Sequence, residues 1–413
     1  MMKTLENRSK TDGSLSRRAF MAGAGTVACS FTVIRPELVR GTAANSQISL
    51  GLIGCGGRGV WIAGLFKRHG GYRLAAGADY FAERVNAFGE KFEVEPSRLF
   101  SGLSGFRRLI ESKVDAVAIE SPPYFHPEQA AAGVEAGTHV YLAKPIAVDV
   151  PGCRTVEQSA GKATLKKLCF MVDFQTRTDP LYIEAIRRAR GGDIGRIISG
   201  EALYAAGTPF DAQVKVLRQN PKDPELRLKA WGVDRALSGD VITEQNIHCL
   251  DVATWMLDQA PVNAFGTGGL GSRDLGTCWD HFSVTYVFPG EVVLTFHSKQ
   301  YGLGADDIRC RMYGTLGTID SNYFGDVNIK GKNPYPGGKV DNLYQNGAIR
   351  NIATFHKNVS EGDYGNTTVA PSVRSNLTTI LGRTAAIQHR EVTWDEMMKA
   401  EEKLDAQLSG LKS

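Results

Sequence analysis

The chain divides by the rhythm of its apolar positions. Short apolar runs at 48–53, 72–78, 115–120, 138–142 and 168–172 alternate with helical segments near 59–68, 81–91, 126–136 and 149–161. Near-continuous apolar runs separated by helices predict parallel strands covered on both faces, an α/β domain of the Rossmann type. Beyond about residue 195 the pattern changes. Segments 196–206, 282–288, 292–300, 308–313 and 318–321 predict an open, mostly antiparallel sheet in an α+β domain. Glycine-rich turns are expected at 266–276 and 334–338, and one long helix over 243–257. The amphipathic segment 394–408 opens on Thr393-Trp394-Asp395-Glu396, a capping box. It reads as a terminal helix able to pack back on the first domain. Three regions result: 1–44, 45–172 and 173–413.

Region 1–44 has the form of a twin-arginine export signal. Arg17-Arg18 precedes a mild, Gly/Ala-rich apolar stretch, and Thr42-Ala43-Ala44 offers small residues for cleavage before Asn45. No later stretch is long and apolar enough to span a membrane. Cys29 follows Thr26-Val27-Ala28, where a lipid-anchor site would need an aliphatic residue at Thr26, so no anchor is expected there. The leader also accounts for the charge. Lys3, Arg8, Lys10, Arg17, Arg18, Arg35 and Arg40 against Glu6, Asp12 and Glu37 leave four positive charges, the whole formal +4. The remainder is near neutral, with no basic stripe for nucleic acid and no polybasic membrane patch. The cysteines form neither CxxC pairs nor Cys/His ligand spacings, so no metal site is expected.

Gly54-Cys55-Gly56-Gly57-Arg58-Gly59 follows the first apolar run and opens a helix. Asp79 ends the second run about twenty residues on. Strand, glycines, helix, strand and terminal acid in register form the dinucleotide-binding fingerprint. Gly54 permits the turn, Gly56 lets the backbone approach a pyrophosphate, and Gly59 lets the helix pack on its strand. Gly57 and Arg58 complete the loop. Asp79 can take both ribose hydroxyls and would repel a 2′-phosphate, so NAD is expected in preference to NADP.

Lys144, in Tyr141-Leu142-Ala143-Lys144-Pro145, closes a parallel strand, where ligands of open α/β sheets bind. A positively charged nicotinamide beside it would lower its pKa, suiting proton transfer. Glu244 and His248 lie four apart on the predicted helix, about 40° apart around its axis, so both face one way. A carboxylate there would raise the basicity of the imidazole and set its tautomer.

These elements together resemble the glucose–fructose oxidoreductase and inositol dehydrogenase family (Gfo/Idh/MocA), from about residue 48 onward. Besides the glycine loop, Ser121-Pro122-Pro123-Tyr124-Phe125-His126 is similar to the family's Ser/Thr-Pro-x-x-x-His segment near the nicotinamide ribose. Ala143-Lys144-Pro145 is similar to its Glu-Lys-Pro motif, often with a cis Lys–Pro bond. Gly239, Glu244, His248 and Asp251 match its substrate helix, and Gln175 and Arg177 match a Gln/Asn-x-Arg pattern at the mouth of the site. Two residues depart from the pattern. Ala143 replaces a glutamate that anchors the cofactor end in relatives, and Glu244 replaces an aspartate.

The resemblance implies NAD-dependent oxidation of a secondary hydroxyl on a sugar, cyclitol or glycoside. Lys144 and His248 would act on one oxygen with Glu244 orienting His248; which of the two is the base stays open. Ser121, Pro122, His126 and Gln175 would line the cofactor site, and Arg177, Trp231 and Asp251 would meet substrate. Export would require the cofactor to be loaded beforehand, retained, and reoxidised in place, by a second sugar or within one cycle. The product expected is a keto sugar. A redox-neutral glycosidase and a non-catalytic binding protein are the alternatives. Assembly into a homodimer or homotetramer is expected, because 292–296 is too apolar to leave one sheet face wet.

Overall fold

The computed structural model describes residues 47–413. The twin-arginine segment lies outside the described residues. The first sheet holds six strands: β1 (Ile48–Ile53), β2 (Tyr72–Asp79), β3 (Leu99–Ser101), β4 (Ala116–Ile119), β5 (His139–Ala143) and β6 (Phe170–Asp173). Their order is β3-β2-β1-β4-β5-β6, all parallel. β1 and β4 are buried at every position, which is why they read as unbroken apolar runs. The order reverses at β1, so β1 and β4 diverge into helices on opposite sides and open a crevice at their carboxyl ends.

Local chemistry punctuates the helices. Helix Val150–Leu165 starts at Asp149, whose carboxylate accepts from Gly152 N. Helix Pro180–Arg190 starts at Asp179, which accepts from Leu181 N and Tyr182 N, with Pro180 at the first helical position.

The second sheet has nine strands. They are β7 (Ile197–Ala206), β8 (Asn263–Gly269), β9 (His281–Phe288), β10 (Val292–Gln300), β11 (Asp307–Gly314), β12 (Gly317–Asn322), β13 (Asp326–Gly331), β14 (Tyr335–Lys339) and β15 (Val392–Thr393). The order is β14-β13-β12-β11-β7-β10-β9-β8-β15, antiparallel except for the β7–β10 pair.

Four expectations are corrected here. The glycine turn expected over 266–276 begins only after Gly269, because residues 263–269 form β8. A Cβ at Gly268 would stand 2.3 Å from His281 O, so this glycine allows close strand approach and marks no turn. The apolar positions of β10 turn inward: Leu294 and Phe296 are buried while Thr295 and His297 face out, so that strand leaves no apolar outer face to cover. The helix over 243–257 is two pieces, Val241–Glu244 and Ile247–Leu257, broken at Gln245 and Asn246. The terminal helix stops at Ala400. The tail beyond it still returns to the first sheet's edge, where Leu103 N donates to Lys412 O and Lys412 N to Tyr80 OH.

Residues 173–413 are not a separate layer. Helix Leu343–Glu361 packs Ala348, Ile352 and Phe355 into the core around Leu50 and Tyr141, and Tyr72 OH donates to Ile352 O. Helix Val369–Gln388 runs between the two sheets. Asn376 ties it to the first, accepting from Ile146 N and donating to Ala147 O. Among the described residues no helix is long and apolar enough to cross a membrane, and all six cysteines are free and buried.

Candidate active site

Two connected spaces lie over the carboxyl ends of the parallel strands. A cleft of about 650 Å³ is lined by Gly54, Gly56, Asp79, Ser121, Pro122 and Trp231 among others. A cavity of about 910 Å³ lies beside it, over Lys144, Glu244 and His248. Glu120, Ser121 and Trp231 line both.

The cleft suits a dinucleotide. Gly54 has φ +95°, and a Cβ there would meet Ser121 N at 2.5 Å. A Cβ at Gly59 would stand 1.8 Å from Gly54 O, so the helix lies directly against the turn. No side chain caps the amino end of helix Gly57–His69, which leaves its first amides for an anion. Gly57 is exposed and sterically unconstrained. Asp79 accepts from Cys55 N at 2.8 Å and Phe81 N at 2.9 Å, which joins the loop to the end of β2. Burial pushes its pKa up, against the pull of those amides and of Arg84. Arg84 also lines the cleft and partly offsets the charge of Asp79. Repulsion of a 2′-phosphate is therefore weaker than Asp79 alone would give.

Arg58 was expected at the cofactor and lies elsewhere. Its guanidinium turns into the neighbouring cavity, pairing with Glu120 at 2.9 Å and Asp173 at 2.5 Å and donating to Tyr344 OH at 2.9 Å. Gln175 is likewise displaced. It is fully buried behind Asp173, to which its amide donates at 3.2 Å, and it lines neither space. His126 lines the cavity as a brace. Its ring nitrogens lie 2.8 Å from Pro145 O and 2.7 Å from Ser121 O, so it joins the ends of β4 and β5 across the cis Lys144–Pro145 bond. Burial lowers its pKa to about 4, against the pull of both carbonyls.

Lys144 is buried and lies over the broken helix. Its Nζ donates to Glu244 O at 2.7 Å and stands 3.4 Å from Glu244 Oε1. Burial lowers its pKa, Glu244 opposes this, and Arg58 adds to it. Glu244 does not orient His248. The chain break at Gln245 and Asn246 removes the one-turn spacing, and the carboxylate turns to Lys144 and to the amide of Gln245. Gln245 in turn accepts from Tyr204 OH at 2.7 Å. His248 packs against Tyr323, ring centres 5.4 Å apart, and its buried Nδ1 has no hydrogen-bond partner among the described residues. Burial, then Lys144 and Arg58, hold its pKa well below 6.5, so the ring is neutral.

Trp231 lines the site as expected. Arg177 and Asp251 do not. They form a bidentate pair at 2.8–3.2 Å, with Ser375 Oγ donating to Asp251, and line neither space. Glu120 and Asp173 escaped notice. Both sit at carboxyl ends of parallel strands, the same signal that singled out Lys144.

The fold and this arrangement define a dinucleotide-binding protein with titratable groups gathered beside the cleft. Models of two family domains match the chain: the oxidoreductase family's NAD-binding Rossmann fold over 48–174 and the GFO/IDH/MocA C-terminal domain over 182–320. Inositol 2-dehydrogenase 2 of Saccharopolyspora erythraea is 30% identical over 283 residues, 66% of this chain and 72% of that one. Inositol 2-dehydrogenase of Rhizobium meliloti is 25% identical, over 68% and 78% respectively. In structure, an aldose–aldose oxidoreductase from Caulobacter crescentus superposes with a TM-score of 0.64 at 19% identity, over 84% of this chain and 99% of that one. The chain belongs to the GFO/IDH/MocA oxidoreductase family.

Proposed function

We propose that this protein oxidises a secondary hydroxyl of a sugar, cyclitol or glycoside, with NAD as a tightly held acceptor. The observation that carries the reading is the pairing, in one cavity beside the glycine-loop cleft, of a buried lysine with a neutral histidine. Trp231, Tyr323 and Tyr344 give the cavity aromatic faces for a ring's C–H surface, and the charged groups meet its hydroxyls. The relatives named above are inositol dehydrogenases, which favours a polyol ring. A bound nicotinamide would supply the hydride acceptor. His248 takes the hydroxyl proton while Lys144 donates to the same oxygen and stabilises its developing charge. Glu244 keeps Lys144 in place and charged. Asp79 favours NAD over NADP, though Arg84 narrows the margin.

Export through Arg17-Arg18 belongs to the same proposal, and so does assembly into a homodimer or homotetramer through the nine-stranded sheet. The latter rests on Phe265, 56% exposed on that face. Light scattering tests the assembly. Replacing Arg17 and Arg18 with lysine should retain precursor in the cytoplasm.

The deciding experiment has two stages. The nucleotide released from denatured protein is weighed, and the holoprotein is then screened with inositols, aldoses and glycosides. NAD and a keto product support the reading. NAD with a freed, unoxidised sugar points to a redox-neutral glycosidase. Absence of bound or bindable nucleotide refutes it.

A further inference from the structure

Glu120 follows β4, and the ladder pairs Ile119 with Leu142, so Glu120 leaves the sheet beside Ala143. On the other side Ala143 pairs with Asp173. Ala143 contributes only a methyl group between the two acids, and the Arg58 guanidinium reaches both. The Glu120 side chain is wholly buried. Neither carboxylate oxygen has a hydrogen-bond partner among the described residues; the Arg58 contact is an ion pair of poor hydrogen-bond angle. An unsatisfied buried carboxylate is costly, so its position calls for a cause. Glu120 lines both the cleft and the cavity. Any cofactor reaching from the glycine loop to Lys144 passes it.

The charged groups around it are Arg58 from helix Gly57–His69, Asp173 from β6, Lys144 after β5 and Glu244 from the short helix Val241–Glu244. These four cancel. His248 is neutral, and Tyr141, whose pKa burial raises, is neutral as well. The net charge of the buried site therefore follows Glu120 alone: one negative charge when ionised, none when protonated. An oxidised nicotinamide ring carries one positive charge and a reduced ring none. Each form of the cofactor is balanced by one form of Glu120.

We propose that Glu120 stores the proton released on substrate oxidation, taking it up as the cofactor is reduced and returning it when the cofactor is reoxidised. The inference rests on the reading of the site as an NAD-dependent alcohol dehydrogenase. The balance is complete. The secondary alcohol loses a hydride from carbon to NAD and a proton from oxygen, through His248 or Lys144, to the Glu120 carboxylate. The products are a ketone, NADH and the Glu120 carboxylic acid. Burial pushes the Glu120 pKa up to about 7, with Arg58 pulling it down and Asp173 adding to the rise, so the proton is held and released near neutrality. An enzyme that keeps its cofactor would thus hold hydride and proton together for the next acceptor.

Infrared difference spectroscopy tests this on the full chain loaded with NAD or with NADH, without substrate. The NADH-loaded protein should show the carbonyl stretch of a protonated carboxylic acid that the NAD-loaded protein lacks. Glu120→Gln should lose that band. Should that variant fail to fold, Glu120→Asp should shift it, and the wild-type comparison decides in either case. Identical spectra in the acid-carbonyl region, or a band that survives Glu120→Gln, overturn the proposal even if keto products form. Failure to bind either nucleotide overturns it together with the dehydrogenase reading.

Discussion

Glu244→Gln removes the only carboxylate paired with Lys144 among the described residues and keeps the shape of the side chain. At 3.4 Å the attraction between the two charges is about 5 kcal/mol for an effective dielectric of about 20. Losing it lowers the lysine pKa. The Glu244 backbone carbonyl, 2.7 Å from Nζ, remains in the variant, so the lysine keeps a hydrogen-bond partner while its pKa falls. The sign is fixed: burial already lowers the Lys144 pKa, Glu244 opposes that, and its neutralisation lets the pKa fall further. The assay is the pH profile of kcat/KM for whichever polyol the screen selects. If Lys144 acts as the base, the acidic limb moves to lower pH. If it acts as the cation that steadies the oxygen, the alkaline limb moves to lower pH. The limb that moves therefore separates the roles of Lys144 and His248. A variant that is fully active with neither limb displaced would refute the coupling, and Lys144 would then have no part in the proton transfer.

His248→Ala should retain bound nucleotide and lose about 10²–10⁴ in turnover, as measured by initial rates alongside nucleotide content. Gly59→Ala forces a Cβ to within 1.8 Å of Gly54 O, so the loop must open; loss of bound NAD on denaturing release checks it. Asp251→Asn strips the partner of a largely buried Arg177 and should cost about 3 kcal/mol of stability in denaturant melts, with KM unchanged because neither residue lines the cavity. Glu120 binds its proton more tightly folded than unfolded, about 7 against 4.5, so wild-type stability falls as pH rises through that window. Glu120→Gln should gain on wild type by about 3 kcal/mol between pH 4.5 and 8, and parallel melting curves across that range would contradict the assignment.

The parallel sheet was legible because strands buried on both faces leave unbroken apolar runs, as in Leu50-Gly51-Leu52-Ile53. The second region was less so. β8 is made of Asn263-Ala264-Phe265-Gly266-Thr267-Gly268-Gly269, where close strand contact demands glycine and disguises a strand as a turn. Helix Val369–Gln388 escaped because Ser372, Ser375, Asn376, Thr378 and Thr379 are buried, which erases the polar face that periodicity detects. In the site, Lys144 was legible from its strand-end position and from the Lys-Pro motif. Glu120 and Asp173 share that strand-end position, but no spaced motif sets them apart from other acids. The pairing of Glu244 with His248 failed for a local reason: a two-residue break in a helix leaves the spacing in sequence intact and destroys it in space. Arg177 and Asp251 show the converse, since two charges near a site satisfied each other.

The tail that returns to the first sheet has a kinetic consequence. Tyr80 and Leu103 both line the nucleotide cleft, and Lys412 bonds to each, across 332 residues of sequence in the case of Tyr80. Surface contacts at a rim open locally more cheaply than cores. Under the proposed function, residence of the cofactor would then follow how often this tail leaves the rim. Retention and catalysis can be tuned separately, one by the grip of the tail, the other by the cavity beneath.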